Sequence, residues 1–305
     1  MFRASFRLFF AASLAIQIAC STRCGPGDTG LDIAKQQREF TDALERRVSV
    51  PYPPRRIVSL APNLTEIVFA LGADDRLAGV TSFCDYPPAA RDKEKVGDTI
   101  QPNLEKIIGL KPDLVLISTS SQLQQITSRL DQLSIPVYVT DPRTVGEVVS
   151  SIRKLGEVID ARERATNLAD SIDWRISTVK EQVRSLSRPR VLYVLQIGPL
   201  ITIGKRTFIN DLLTLAGSDS ISASEAADYP QFSLETVIAR APEVIVVPTS
   251  HGGGGPSDEE LAKTFASTPA MRKRRIVRVN PDLVTRPGPR IIDGLEGLAR
   301  DLHQH

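Results

Sequence analysis

The chain has 305 residues, 41% hydrophobic and 24% charged, a globular balance that excludes disorder over the whole length. At roughly 100–200 residues per domain this is two domains or one large α/β domain. A net charge of only +2 and 5% aromatic residues argue against a strongly basic or aromatic-lined nucleic-acid surface, and three Cys and three His are too few for a disulfide scaffold or a multi-histidine metal cage.

Residues 1–19 read as a signal peptide. Arg3 and Arg7 precede an apolar run over residues 8–19, which is shorter than the ~20 residues a spanning helix needs. Ala19 before Cys20 is the small-residue-then-cysteine arrangement that precedes lipidation, although Gln17 stands where a Leu is usual. A lipid anchor on Cys20 is therefore expected at the outer face of the cell envelope, with simple secretion or an uncleaved anchor as the alternatives. Cleavage there removes Arg3, Arg7 and no acid, so the mature chain is near neutral. Residues 20–38, with Gly25, Pro26 and Gly30, read as a polar tether. Cys24 and Cys84 then remain, and the sequence leaves open whether they pair.

The main body contains one design twice. Pro102-Asn103-Leu104-Glu105-Lys106-Ile107-Ile108 leads to Pro112-Asp113 and the apolar run Leu114-Val115-Leu116-Ile117. Phe232-Ser233-Leu234-Glu235-Thr236-Val237-Ile238 leads to Pro242-Glu243 and Val244-Ile245-Val246-Val247, at the same spacing. Each copy predicts an N-cap (Asn103, Ser233), a short helix, a turn and a strand buried on both faces. Further strands are expected at residues 57–60, 137–139, 191–195 and 276–279, and helices at 63–71 and 208–216, stopped by Gly72 and Gly217. Asn63, in a glycosylation-like Asn-Leu-Thr, reads as a helix cap.

Between the copies, residues 144–187 are helical. Ala165, Leu168, Ile172, Ile176, Val179, Val183 and Leu186 make one apolar stripe on a long helix over 163–186. A last helix is expected over 290–302, and the basic run Arg272-Lys273-Arg274-Arg275 reads as solvated surface. The fold class is α/β: two similar lobes, residues 39–143 and 188–305, joined by one long rigid helix, with a ligand cleft between them.

These features resemble the periplasmic substrate-binding proteins of the vitamin B12, iron-siderophore and haem ABC importers. The likeness runs over about residues 39–305. It is carried in order by Phe40-Thr41-Asp42, Arg46-Arg47-Val48, Ile57-Val58-Ser59-Leu60, Thr65-Glu66-Ile67, Leu71-Gly72, Asp85-Tyr86-Pro87-Pro88 and Pro102-Asn103-Leu104-Glu105. Glu45 departs from it, standing where the opening hairpin usually has Gly. The resemblance implies that Glu105 and Glu235 dock on arginines of the membrane permease, whose partner ATPase supplies the energy, and that the protein is a monomer.

Within that family the vitamin B12-binding members are the nearest likeness, which implies a corrinoid ligand. Phe83, Tyr86 and Tyr229 are candidates for an apolar wall, and Asp282 and Arg286 for polar groups facing the ligand's amide fringe. Thr99 and Ser118 stand where those proteins carry Trp. Haem is the second ligand, with Tyr229 or His251 as candidate axial groups, His251 opening the glycine run 252–255. A ferric siderophore is the third. No resident cofactor or metal site is expected. P-loop, nucleophile-elbow, His-Glu-x-x-His and Cys-x-x-Cys motifs are absent, so catalysis is not expected. Outside the transport reading stand a tetrapyrrole chelatase and a surface receptor that feeds a sensor.

Overall fold

The computed structural model describes residues 36–118, 124–249 and 256–304. The expected signal peptide, Cys20, Cys24, most of the expected tether, and His251 with its glycine run lie outside the described residues. Among the described residues no helix is long and apolar enough to cross a membrane.

The body opens with an antiparallel hairpin, β1 (Gln36–Thr41) and β2 (Arg47–Tyr52). Residues 36–38, assigned to the tether from sequence, belong to this hairpin, where the Arg38 guanidinium lies 3.7 Å over the Tyr52 ring. At its turn Glu45 has φ 57°, the left-handed conformation that a Gly would adopt most readily. Asp42 holds the turn by accepting from the amides of Leu44 and Arg46.

The first lobe contains β3 (Ile57–Ser59), α1 (Pro62–Ala70), β4 (Leu77–Val80), α2 (Leu104–Gly109), β5 (Leu114–Ser118), α3 (Gln124–Gln132) and β6 (Val137–Thr140). Its four parallel strands lie in the order β4-β3-β5-β6. The connecting segment is a helix pair, α4 (Val145–Val158) and α5 (Arg162–Val183). The second lobe contains β7 (Arg190–Tyr193), α6 (Phe208–Leu215), β8 (Asp219–Ser220), α7 (Leu234–Arg240), β9 (Val244–Pro248), α8 (Asp258–Phe265), α9 (Pro269–Arg272), β10 (Ile276–Val279), α10 (Pro281–Val284) and α11 (Ile291–His303). Its parallel sheet is ordered β8-β7-β9-β10, the same topology as the first lobe.

The repeat extends to the backbone. Asn103 accepts from the Lys106 amide and Ser233 from the Thr236 amide, so both predicted caps form. Lys111 (φ 48°) and Ala241 (φ 45°) occupy corresponding places just before Pro112 and Pro242, and both are left-handed. Neither is a Gly, so the sequence signalled the turn but not its left-handed backbone. Gly72 (φ 61°) and Gly217 (φ 78°) end α1 and α6 as their positions suggest.

Alternate strand residues explain the layering. Leu114 and Leu116 face a large core shared with α1, α4, α5 and α11, while Val115 and Ile117 face a smaller one with Ile107 and Leu130. The second lobe repeats this: Val244 and Val246 join the shared core, and Ile245 and Val247 pack with Val237, Leu261 and Phe265. The shared core therefore runs unbroken from one lobe to the other. On α5, Ala165, Ala169, Ile172, Ile176, Val179 and Val183 are buried, the larger side chains each contributing about 1.5–3 kcal/mol over exposure. Leu186 does not continue the stripe: the helix ends at Val183, and Leu186 is exposed.

A further expectation is corrected. Asn63 is not the cap of α1. Ala61 occupies the N-cap and Pro62 the first helical position, which places Asn63 inside the first turn and buried.

Candidate functional site

The strands of each lobe end toward a cleft, the usual place for ligands in open parallel sheets. A pocket of about 250 Å3 lies there, with walls from both lobes. Ser118 closes β5, and Asp141, Pro142 and Arg143 follow β6. The opposite wall is Arg206, Thr207, Phe208, Asp228 and Tyr229, with Thr285 and Pro287 at the end.

The second wall is set by a backbone ladder between the loop that joins β7 to α6 and the loop that joins β8 to α7. The amides of Thr202, Gly204 and Lys205 donate to the carbonyls of Pro230, Asp228 and Glu225. The two loops approach so closely at Gly204 that a Cβ there would overlap the Ala227 carbonyl oxygen. This ladder brings Arg206 and Asp228 together at 3.0 Å and presents Tyr229, which is 61% exposed.

The charges in the cleft are paired across it. Arg143, from the first lobe, lies 3.0 Å from Asp141 and 3.6 Å from Asp228 of the second. Its pKa is raised, first by the hydrogen bond with Asp141, against the lowering effect of burial, and further by Asp141, Asp228 and Tyr229. Asp228 is thus flanked by one arginine from each lobe. Sequence reasoning missed Asp141, Arg143, Arg206 and Asp228, because single charges in loops carry no periodic signal.

Tyr229 is the predicted ligand residue that lines this pocket. Thr99 is half-buried beside Asp98, whose carboxylate accepts from the amides of Ile100 and Gln101. Phe83, and Ile100 next to Thr99, which sequence reasoning passed over, are both exposed.

Tyr86, Asp282 and Arg286 lie together in an inter-lobe seam. Arg290 grips the buried Glu66 of α1 with two bonds, Nε to Oε2 at 2.9 Å and Nη2 to Oε1 at 2.6 Å. Its pKa is raised, chiefly by that hydrogen bond. Arg286 lies 2.8 Å from Asp85, 2.9 Å from Asp282 and 3.4 Å from Glu66. The Arg290 guanidinium also stacks 3.9 Å from the Tyr86 ring centroid. Asn63, one turn before Glu66, donates to the Pro287 carbonyl at 3.3 Å, which accounts for its buried place. The clue in the sequence was an acid, Glu66, inside the apolar run of α1.

Glu105 and Glu235 are exposed at the second position of α2 and α7, directly after their caps. The Glu235 carboxyl is held below its ordinary pKa, first by its own backbone amide and then by the Ser233 hydroxyl. Cys84 is a buried free thiol in contact with the Thr65 and Thr81 hydroxyls. Among the described residues, no group of three or more His, Cys, Asp or Glu is placed to hold a metal ion.

Comparison with known proteins places this architecture. Residues 57–283 match the model of a periplasmic binding protein family. An uncharacterised ABC transporter substrate-binding lipoprotein of Bacillus subtilis is 33% identical, with 96% of each chain covered. The solved periplasmic vitamin B12-binding protein of Vibrio cholerae is 30% identical with a TM-score of 0.71, covering 82% of this chain and 97% of its own. A periplasmic haem-binding protein of Roseiflexus, in apo form, is 26% identical with a TM-score of 0.73, covering 82% and 98%. Duplicated lobes, a cleft at the strand ends and these likenesses agree: the chain belongs to the periplasmic binding protein family, which serves substrate transport and is not an enzyme family.

Proposed function

We propose that the chain is the substrate-binding component of an ABC importer, which captures a corrinoid in the cleft and delivers it to the membrane permease. The observation that carries the transport reading is the repeated acid. Glu105 and Glu235 project, exposed and with no cation paired to them among the described residues, from the same position of the same motif in both lobes. An acid in a helix's first turn gains only about 0.3–1 kcal/mol from the helix dipole, which does not require the pair to be matched. The permease partner would present arginines to both, and ATP would be hydrolysed elsewhere. Lipidation at Cys20 would hold the protein at the membrane's outer face.

The corrinoid rests on likeness to vitamin B12-binding proteins, among them one of Photorhabdus laumondii at 32% identity over 83% of this chain. Haem is the second reading, and one feature of the cleft favours it: Arg143, Arg206 and Tyr229 line the same pocket, residue types suited to the carboxylates and metal of an anionic tetrapyrrole. Calorimetric titration of the protein with cyanocobalamin, haemin and a ferric siderophore separates these. Failure of cyanocobalamin to bind at micromolar protein removes the corrinoid. For transport, Glu105→Lys with Glu235→Lys should abolish uptake while leaving ligand affinity unchanged. Undiminished uptake by that variant would refute docking through the two acids.

A further inference from the structure

Glu66 is an anomaly in its own helix. It lies between Leu64, Ile67 and Val68 of α1, all fully buried, and is itself only 4% exposed. A carboxylate in that place must be paired, and both of its partners come from one short loop of the other lobe, residues 285–290. A buried ion pair is often no more stabilising than apolar side chains of the same shape, so stability alone does not explain it. What such a pair supplies is direction: the guanidinium fork of Arg290 donates to the carboxylate in one plane and one orientation.

The loop's alternation shows what is being directed. Thr285 and Pro287 line the cleft, and Arg286 between them turns the other way, to Glu66, Asp85 and Asp282. The Pro287 carbonyl is held by Asn63, and Gly288 lies against Asn63, where a Cβ would come into van der Waals contact at 3.4 Å. The part of the cleft wall made by residues 285–287 is therefore seated on α1 of the opposite lobe.

We propose that Glu66 is a positioning residue for ligand capture: by holding Arg286 and Arg290 across the seam, it sets the spacing of the two lobes and the placement of Thr285 and Pro287 in the cleft. It touches no ligand itself. Asp85 and Asp282 share Arg286 with it, and Tyr86 stacks on Arg290, so the seam acts as one unit.

The test does not depend on which ligand the cleft takes. Spin labels at the exposed positions Gln132 and Glu259, one in each lobe, report the inter-lobe distance, in a chain with Cys20 and Cys24 changed to Ser. One narrow distance is expected with Glu66 in place. Glu66→Gln, which keeps the size and removes the charge, should shift or broaden it, and Glu66→Asp should restore part of the sharpness. Hydrogen exchange should rise on the order of tenfold or more in α1 and residues 285–291, and not in β5 or β9. An unchanged distance and unchanged exchange in folded Glu66→Gln overturn the proposal. If that variant does not fold, Arg286→Gln and Arg290→Gln, made singly, take its place, and unchanged distances in both overturn it equally. Cyanocobalamin that binds neither the parent chain nor the variant counts against the corrinoid, and leaves the distance result to decide the role of Glu66.

Discussion

The acid that follows the proline in each repeat, Asp113 and Glu243, offers a test of how burial sets the worth of one recurring contact. Asp113 is 7% exposed, and its carboxylate accepts from the Arg55 amide at 2.9 and 3.0 Å and from the Arg56 amide at 2.8 Å. It thereby ties the end of the α2 segment to the entry of β3. Glu243 does the same for β7, accepting from the Arg190 amide at 3.0 Å, but its side chain is 40% exposed. Asp113→Ala takes the buried acceptor away from two backbone donors in part-buried bonds, at most about 1–3 kcal/mol each, so at most about 2–6 kcal/mol in all. Glu243→Ala exposes one donor to water, which replaces the lost acceptor, and should cost less than about 1 kcal/mol. Urea unfolding followed by circular dichroism reads both, the midpoint falling markedly for the first and little for the second, with the slope unchanged. Equal losses, or a loss under about 1 kcal/mol for Asp113→Ala, would refute the assignment of the cost to desolvated amides.

Three further outcomes are expected. Gly204→Ala should destabilise the cleft wall by about 1–3 kcal/mol and weaken ligand binding together with stability, because the backbone of Ala227 cannot yield as a side chain would; calorimetry on the variant checks both. The Glu235 carboxyl, held low by its own amide and Ser233, stays ionised as pH falls through the ordinary carboxylate range near ~4.3, so the proposed docking at the second lobe should persist until the pH passes below its lowered value. Ser233→Ala raises that value and moves the loss of permease binding to higher pH, which binding to permease in nanodiscs across pH 4–6 detects; identical pH profiles would exclude the hydroxyl's part. Cys84, 1% exposed, should resist Ellman's reagent in the folded protein and react on unfolding.

Much of the fold was legible because it rests on local signals. Asn103 and Ser233 are good caps with helix formers behind them, and the apolar runs at 114–117 and 244–247 are too short for helices and too continuous for half-exposed strands. The repeat then supplied the pairing of lobes without any long-range information. What escaped depends on residues far apart in the chain. Asn63 looked like a cap because its side chain suits one, but Pro62 fits the first helical position, and a carbonyl more than two hundred residues away claims the amide. Lys111 and Ala241 adopt a conformation their side chains do not favour, so only their matched places in the repeat could have betrayed it. In the cleft, Tyr229 was legible as an aromatic in a loop next to the repeat. Arg143, Arg206 and Asp228 were not, since their significance lies in meeting across the lobes.

The two kinds of inter-lobe tie act together. The shared apolar core of α4, α5 and α11 resists separation of the lobes, but apolar contact has no direction and would tolerate a small rotation. The seam at Glu66 is directional and would not. On the same α4, the Val145 amide donates to Asp211 of α6 at 2.7 Å, which fixes the start of the connecting helices against the second lobe. Rotation of the lobes must break one of these charged contacts before it relaxes the core. In the docking proposed above, Glu105 and Glu235 belong to different lobes, so their spacing is a property of this frame and not of either helix. A permease that receives both acids at once is then reading the frame. A frame held in one geometry presents them without first losing the freedom of two independent lobes, which is the entropic cost that a hinged binding protein carries into docking.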